Sequence, residues 1–258
     1  MRNVHEEGAR PSYTGILIQV LLLLVILAVA VWLLEFEPTG YRMTVPMRNY
    51  TQILPNVYIE NGYTGNVMHF MAVYKEALER VEAFWGERIS EPRIVFSHRA
   101  ESIEKAGGNH DACTVVLPGM VQTYISLTEE YWTADILSHE MNHAELHARL
   151  YQDRKVYTQL VPAWFDEGVC LQTDLRDSFD EDSWALLAES AEELPVLASM
   201  ETGENFFAGS AEERRIRYTV SRHELAVWLE ARGSDGLIAL LEQVSTGTPF
   251  ASVYAPAS

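Results

Sequence analysis

His139-Glu140-Met141-Asn142-His143 sets two imidazoles four positions apart with a carboxylate between them. On an α-helix four positions are about 6 Å of rise and little more than one turn, so both rings leave the same face. They can then converge on one Zn²⁺ at about 2.0–2.1 Å. Glu140 is swung roughly a quarter turn aside, where its carboxylate can reach the water to be activated instead of the metal. Two neutral ligands and a poised base are what metal-assisted hydrolysis needs. The bland alternative is a polar helix face that happens to carry two histidines, and a second element downstream weighs against it.

Two histidines leave a catalytic zinc one protein ligand short, the fourth position being kept for water. The metzincin pattern would place a third histidine ten positions after His139, but that position is Arg149. His147 follows His143 by another four residues and lies a turn further along the axis, so a solvated or outer role suits it better than a ligand role. The other candidate is Glu167, in Val161-Pro162-Ala163-Trp164-Phe165-Asp166-Glu167-Gly168. Pro162 suits the first position of a helix, Trp164 and Phe165 would anchor that helix in the core, and Glu167 projects one turn in. It lies 24 residues beyond His143, enough chain to leave one helix, reverse, and lay a second helix against the first. A carboxylate partly neutralises Zn²⁺ while leaving enough charge to acidify water. The competing reading is that Asp166 and Glu167 simply favour a helix N-terminus through its dipole.

With these residues the chain resembles the gluzincin group of zinc metallopeptidases, marked by H-E-x-x-H and a Glu ligand on a later helix. Trp164-Phe165-Asp166-Glu167-Gly168 is similar to the W-x-x-E-G segment of its aminopeptidase-like branch, and the resemblance spans roughly residues 90 to 250. It implies a zincin-like fold, His139, His143 and Glu167 as zinc ligands, and Glu140 as general base. It also implies a tyrosine that stabilises the oxyanion, and Tyr218-Thr219-Val220-Ser221 has that placement ahead of Leu225, Val227, Trp228 and Leu229. Packing against that apolar stripe is the plain alternative for Tyr218, and His223 is an alternative donor. Two departures stand out. Thermolysin-like members carry E-x-x-x-D, but the position four after Glu167 is Leu171, with Asp174 a substitute one turn later. Exopeptidase members carry G-x-M-E-N, whereas Gly119-Met120-Val121-Gln122-Thr123 holds no acid.

The elements around these motifs begin with a membrane segment. Ile16 to Leu34 is 19 residues of almost unbroken apolar sequence, interrupted only by Gln19. As a helix it is about 28 Å long, the thickness of a hydrocarbon core. Arg2 and Arg10 precede it, and Glu35 and Glu37 follow. That bias puts residues 1–15 in the cytoplasm as a tail and the body outside. The competing reading is a cleaved signal peptide ending at Ala28-Val29-Ala30. The apolar run continues through Val31-Trp32-Leu33-Leu34, which favours a retained anchor.

Of the 258 residues, 37 are acidic and 19 basic, a net charge of −18. Nothing basic is clustered enough to track phosphates, so nucleic acid is excluded as a partner. The same balance repels anionic headgroups, so the anchor and not surface charge should hold the protein at the membrane. Cys113 and Cys170 form no C-x-x-C motif; one disulfide or two buried thiols are equally open.

Residues 35–60, with Pro38, Pro46 and Pro55, read as a linker into a domain at 61–258. Val67, Phe70, Met71, Tyr74, Leu78, Val81 and Trp85 repeat at helical spacing up to Gly86. Strands are expected at Arg93–Ser97, Cys113–Leu117 and Val121–Leu127, with a loop at 106–111 carrying His110. The active helix is expected over 128–151. The Glu167 helix comes next, followed by helices near 183–192, 211–231 and 237–244. The fold class is α+β, two lobes behind one transmembrane helix. The reading is a membrane-anchored zinc metallopeptidase acting on peptide or protein substrates, with the strand at Val121–Leu127 pairing an extended substrate. The alternatives are a non-catalytic anchored scaffold and a zinc amidase acting on cell-wall peptide.

Overall fold

The computed structural model describes residues 13–107, 112–116, 123–151, 159–190 and 193–255. The amino-terminal tail, His110 and Gly119–Gln122 lie outside these residues. The chain folds as a mixed α+β molecule with one sheet.

Helix α1 (Tyr13–Phe36) is exposed along its whole apolar run, Ile16–Leu34, and is long and apolar enough to cross a membrane. Helix α2 (Pro38–Thr44) turns straight back against its end. Gly40 permits this: a Cβ there would collide with the carbonyl oxygen of Leu33. A 3-10 turn at Val45–Met47 leads into β1 (Tyr50–Leu54) and β2 (Val57–Glu60). The expected linker at 35–60 is therefore corrected: its second half is two strands of the sheet. The reason is legible in hindsight. Pro38 opens α2, Pro46 sits in the 3-10 turn and Pro55 in the turn between the strands, so each proline bounds an element too short to show a period.

Helix α3 (Val67–Trp85) is capped by Asn66, whose side chain accepts from the backbone N–H of Met68 and His69, and is ended by Gly86 at φ 72°. Next come β3 (Arg93–Phe96), α4 (Ala100–Lys105), β4 (Cys113–Val116) and β5 (Thr123–Leu127). The sheet order is β1-β2-β3-β5-β4; β2, β3 and β5 run parallel, while β1 and β4 are antiparallel edge strands. Strand alternation divides the side chains between two faces. Val57, Ile59, Ile94, Phe96, Ile125 and Leu127 join the main core with α3, while Tyr50, Tyr58, Val95 and Tyr124 pack with Tyr41 and Val45 around α2.

Helix α5 (Ala134–Tyr151) lies in the main core against α3. It starts six residues later than expected, because Thr128–Thr133 turns to bury Trp132 against Phe70, and Thr133 Oγ1 accepts from the Ile136 N–H. The helical half follows: α6 (Ala163–Cys170), α7 (Glu181–Ser190), α8 (Gly203–Phe207), α9 (Ala211–Ser245) and α10 (Phe250–Val253). Ser210 and Glu213 form a capping box at the start of α9, and Gly233 at φ 66° breaks that helix where a turn is expected. Gly168 lets α6 press on α9: a Cβ there would lie 2.7 Å from the Ser221 carbonyl oxygen and 2.9 Å from Leu225 Cδ2.

Candidate metal centre

The orientation of α5 is fixed before its histidines do anything. Trp85 Nε1 donates to Asn142 Oδ1 at 2.8 Å, Asn142 Nδ2 donates to Thr173 Oγ1 at 2.6 Å, and Ser138 Oγ donates to the Thr173 carbonyl at 3.0 Å. These bonds tie the buried side of the helix to α3 and to the chain after α6, and so aim the next residues round the helix at α6.

Residues 139 and 143 carry their rings 4.9 Å apart at 76°. His139 Nε2 lies 3.3 Å and His143 Nε2 3.6 Å from the same oxygen, Glu167 Oε2. Tetrahedral ligands at zinc distances stand about 3.3 Å from one another, so the spacing fits a shared cation. Glu167 Oε2 is buried and makes no hydrogen bond of normal geometry. A buried carboxylate oxygen in that state calls for positive charge beside it, from a metal ion or from protonated His139 and His143. Pro162 is the residue before α6 and not its first helical one, a shift of one position from the expectation.

The far nitrogens of both rings face carboxylates. His143 Nδ1 donates to Asp166 Oδ1 at 2.8 Å, and His139 Nδ1 lies 3.5 Å from Asp174 Oδ2. Arg176 holds Asp174 in turn, its Nε 2.9 and 3.0 Å from the two carboxylate oxygens. In a neutral ring, a proton held on Nδ1 by such a carboxylate leaves the Nε2 lone pair free to ligate a metal. Asp174 thus occupies the supporting position that Leu171 cannot. Burial lowers the basicity of His139, but Asp174 and Glu167 outweigh it and raise its pKa to about 9. His143 is also raised: burial works against it, and the Asp166 and Glu167 carboxylates beside it overcome burial. Asp174 is held well below the usual carboxylate range, its burial outweighed by His139 and Arg176.

A second possible donor sits close by. His139, His143 and Cys170 offer ligand atoms all within 4.8 Å of one another and could hold a metal ion. Cys113 and Cys170 are both thiols, so no disulfide joins them. Cys170 Sγ is 3.9 Å from Asp166 Oδ1, and burial pushes its thiol pKa up. The sequence raised Cys170 only as a disulfide partner or a buried thiol. Its nearness to the histidines arises from α6 crossing α5, which no local spacing records.

Glu140 takes no part in this donor set. Thr114 Oγ1 on β4 donates to Glu140 Oε2 at 2.5 Å and lies 3.0 Å from its carbonyl. Cys113, Thr114 and Val115 border the cleft with His139, Glu140 and Glu167, a cavity of about 830 Å³. The strand beside the site is therefore β4. The expected substrate strand, Val121–Leu127, is corrected: its described part, β5, is paired on both sides by β3 and β4, so its backbone has no edge to offer.

Tyr218 borders the same cleft from α9. Its ring packs on Phe206 at 5.1 Å and Phe179 at 5.4 Å. Burial first, then the negative Glu167, raises its pKa and keeps the phenol a proton donor. His223 is directed elsewhere, stacked on Trp184 at 3.9 Å with Nδ1 3.3 Å from Glu181. His147 stacks on Tyr151 at 4.4 Å, and burial lowers its pKa to about 4, so it borders the cleft as a neutral ring. No family model, curated protein or solved structure matches the chain.

Proposed function

We propose that the protein is a membrane-anchored zinc-dependent peptidase of zincin-like, two-lobed architecture. The observation that carries this reading is the approach of His139 Nε2 and His143 Nε2 to one buried oxygen, Glu167 Oε2, at 3.3 and 3.6 Å, with the Glu140 carboxylate beside an edge strand. Glu167 is preferred to Cys170 as third ligand. Its oxygen lies 3.3 and 3.6 Å from the two Nε2 atoms, whereas the Cys170 sulfur lies 3.9 Å from Asp166 Oδ1, the oxygen that accepts from His143 Nδ1.

Zn²⁺ held by His139, His143 and Glu167 would supply Lewis acidity and acidify a water. Glu140 accepts the proton of the attacking water and passes it to the leaving amine. The Tyr218 hydroxyl donates a hydrogen bond to the developing oxyanion. Asp166 and Asp174 hold the two imidazoles in their orientation throughout. Among the described residues β4 ends the sheet, and an extended peptide added along it would lie with its scissile bond along α5. Helix α1 anchors the chain, with the amino terminus in the cytoplasm and the catalytic domain outside.

Glu140→Gln tests this reading, because the amide cannot take up a proton. The variant should keep one metal per chain and an unchanged melting temperature. It should also lose the cleaved termini that full-length active protein generates in casein and in a membrane proteome. Wild-type hydrolysis by Glu140→Gln removes Glu140 from the mechanism. If the metal-loaded wild type cuts nothing, the non-catalytic scaffold reading takes its place, and release of cell-wall peptide alone would identify an amidase.

A further inference from the structure

A second cavity, of about 530 Å³, shares no lining residue with the cleft. Leu34, the last residue of the apolar run, borders it. With α1 in a bilayer, that places the cavity where the helix leaves the hydrocarbon and enters the headgroup layer. Arg48, Arg99 and Lys105 border the cavity, with Glu101 the one carboxylate among its lining residues.

These cations are held in place by the fold. Arg48 Nε donates to Thr44 Oγ1 at 2.7 Å, its guanidinium lies 4.2 Å from the centre of the Tyr41 ring, and Nη2 donates to the Leu34 carbonyl. Arg99 Nε donates to Glu60 Oε1 at 2.6 Å, and Glu60 is fully buried, fixed by the backbone N–H groups of His98 and Arg99 at 3.0 Å each. Lys105 pairs with Glu101 at 2.8 Å. With Glu60 counted, the cluster keeps a net positive charge.

Two further observations point to a lipid. Met47, on the cavity rim, is 87 % exposed, an apolar side chain placed beside the end of an apolar helix. Charge is also segregated along the chain. Residues 35–60 and 93–105, which carry α2, β1, β2, β3 and α4, hold five basic and five acidic side chains, against 19 and 37 in the whole protein. The layer next to the anchor is therefore the part of this acidic molecule that does not repel an anionic surface.

We propose that this cavity binds the phosphate of an anionic phospholipid headgroup, with Arg48, Arg99 and Lys105 around the phosphate and Met47 among the acyl chains. The proposal needs α1 in a membrane and is independent of the metal centre. The full chain in a nonionic detergent should be titrated with dihexanoyl phosphatidylglycerol, dihexanoyl phosphatidylcholine and inorganic phosphate, reading the thermal unfolding midpoint. Phosphatidylglycerol should give a saturable rise, phosphatidylcholine a rise needing roughly tenfold more lipid, and inorganic phosphate none over the same range. Lys105→Gln should weaken the phosphatidylglycerol response by about tenfold, the loss of one charge-assisted hydrogen bond. Arg48→Gln should do the same, and Lys75→Gln on α3 should change nothing. Arg48→Gln also removes contacts to Thr44 and Leu34, so Lys105→Gln, with unchanged circular dichroism, decides if Arg48→Gln fails to fold. Equal responses to the two lipids, an equal response to inorganic phosphate, or a phosphatidylglycerol response unaltered by Lys105→Gln overturns the proposal. So does an equal loss in Lys75→Gln.

Discussion

Two side chains compete for the third donor position beside His139 and His143, and metal content separates them. Glu167→Ala should strip zinc from the purified protein, as should His139→Ala and His143→Ala, while Cys170→Ala and His147→Ala should keep about one zinc per chain. The reverse result for Glu167 and Cys170 would replace the His₂Glu set with a His₂Cys one. Tyr218→Phe keeps the ring between Phe179 and Phe206 and removes only the hydroxyl. Its kcat should fall roughly 10²–10³-fold with the melting temperature unchanged; a melting shift with normal turnover would assign Tyr218 to packing. The raised His139 also predicts a pH effect. A histidine whose folded pKa lies above its unfolded value stabilises the fold fully below the unfolded pKa and loses that contribution as pH rises through the folded one. Chelator-treated protein should therefore lose stability from about pH 6.5, the unfolded value, to about 9, the folded value, when melting is followed against pH. Constant melting across that window would contradict it. The His139, Glu140 and His143 trio was legible in the sequence because one helix turn fixes their relation. Thr114, which holds Glu140, was not, because β4 is brought to α5 by its pairing with β5 and not by any local spacing.

At the scale of elements, the placement of Glu167 depends on how closely α6 approaches α9. Gly168 sets that approach, and a methyl group there would meet backbone at the Ser221 carbonyl, which cannot swing aside as a side chain can. Gly168→Ala should cost about 1–3 kcal/mol, the usual range for overpacking, and should weaken zinc binding as well, since Glu167 is its neighbour. A melting curve and a metal titration check both; normal values in both would mean that α9 yields freely. Helix α3 was readable from its stripe because it is long enough to repeat it several times. Strands β1 and β2, of five and four residues, were not, and their prolines suggested a linker. The edge strand was misassigned for a related reason. Alternation marks a strand, but which strand ends a sheet is decided by pairing between distant segments.

At the scale of the whole molecule, α1 was legible because length and apolarity alone identify a helix able to span a bilayer. Its orientation rests on few charges, and the test is direct. A reporter active only outside the cytoplasm, fused after Ser258, should be active, with residues 16–34 retained in the mature chain. A mature amino terminus at Val31 would show a cleaved signal peptide. The net charge of −18 was a poor guide to the membrane-facing layer, because an average conceals where charge is placed. Gly40 has a last consequence. By allowing α2 to press against Leu33, it leaves no slack between the span and the sheet. With α1 in a bilayer, the cleft, across the sheet from α2, would stand at a set altitude over it, at least the ~10 Å of one packed layer. A peptidase mounted this way cannot sweep a volume for its substrates. Under the proposed function it would meet them by sliding in a plane, and would cut only chains that pass at its own height.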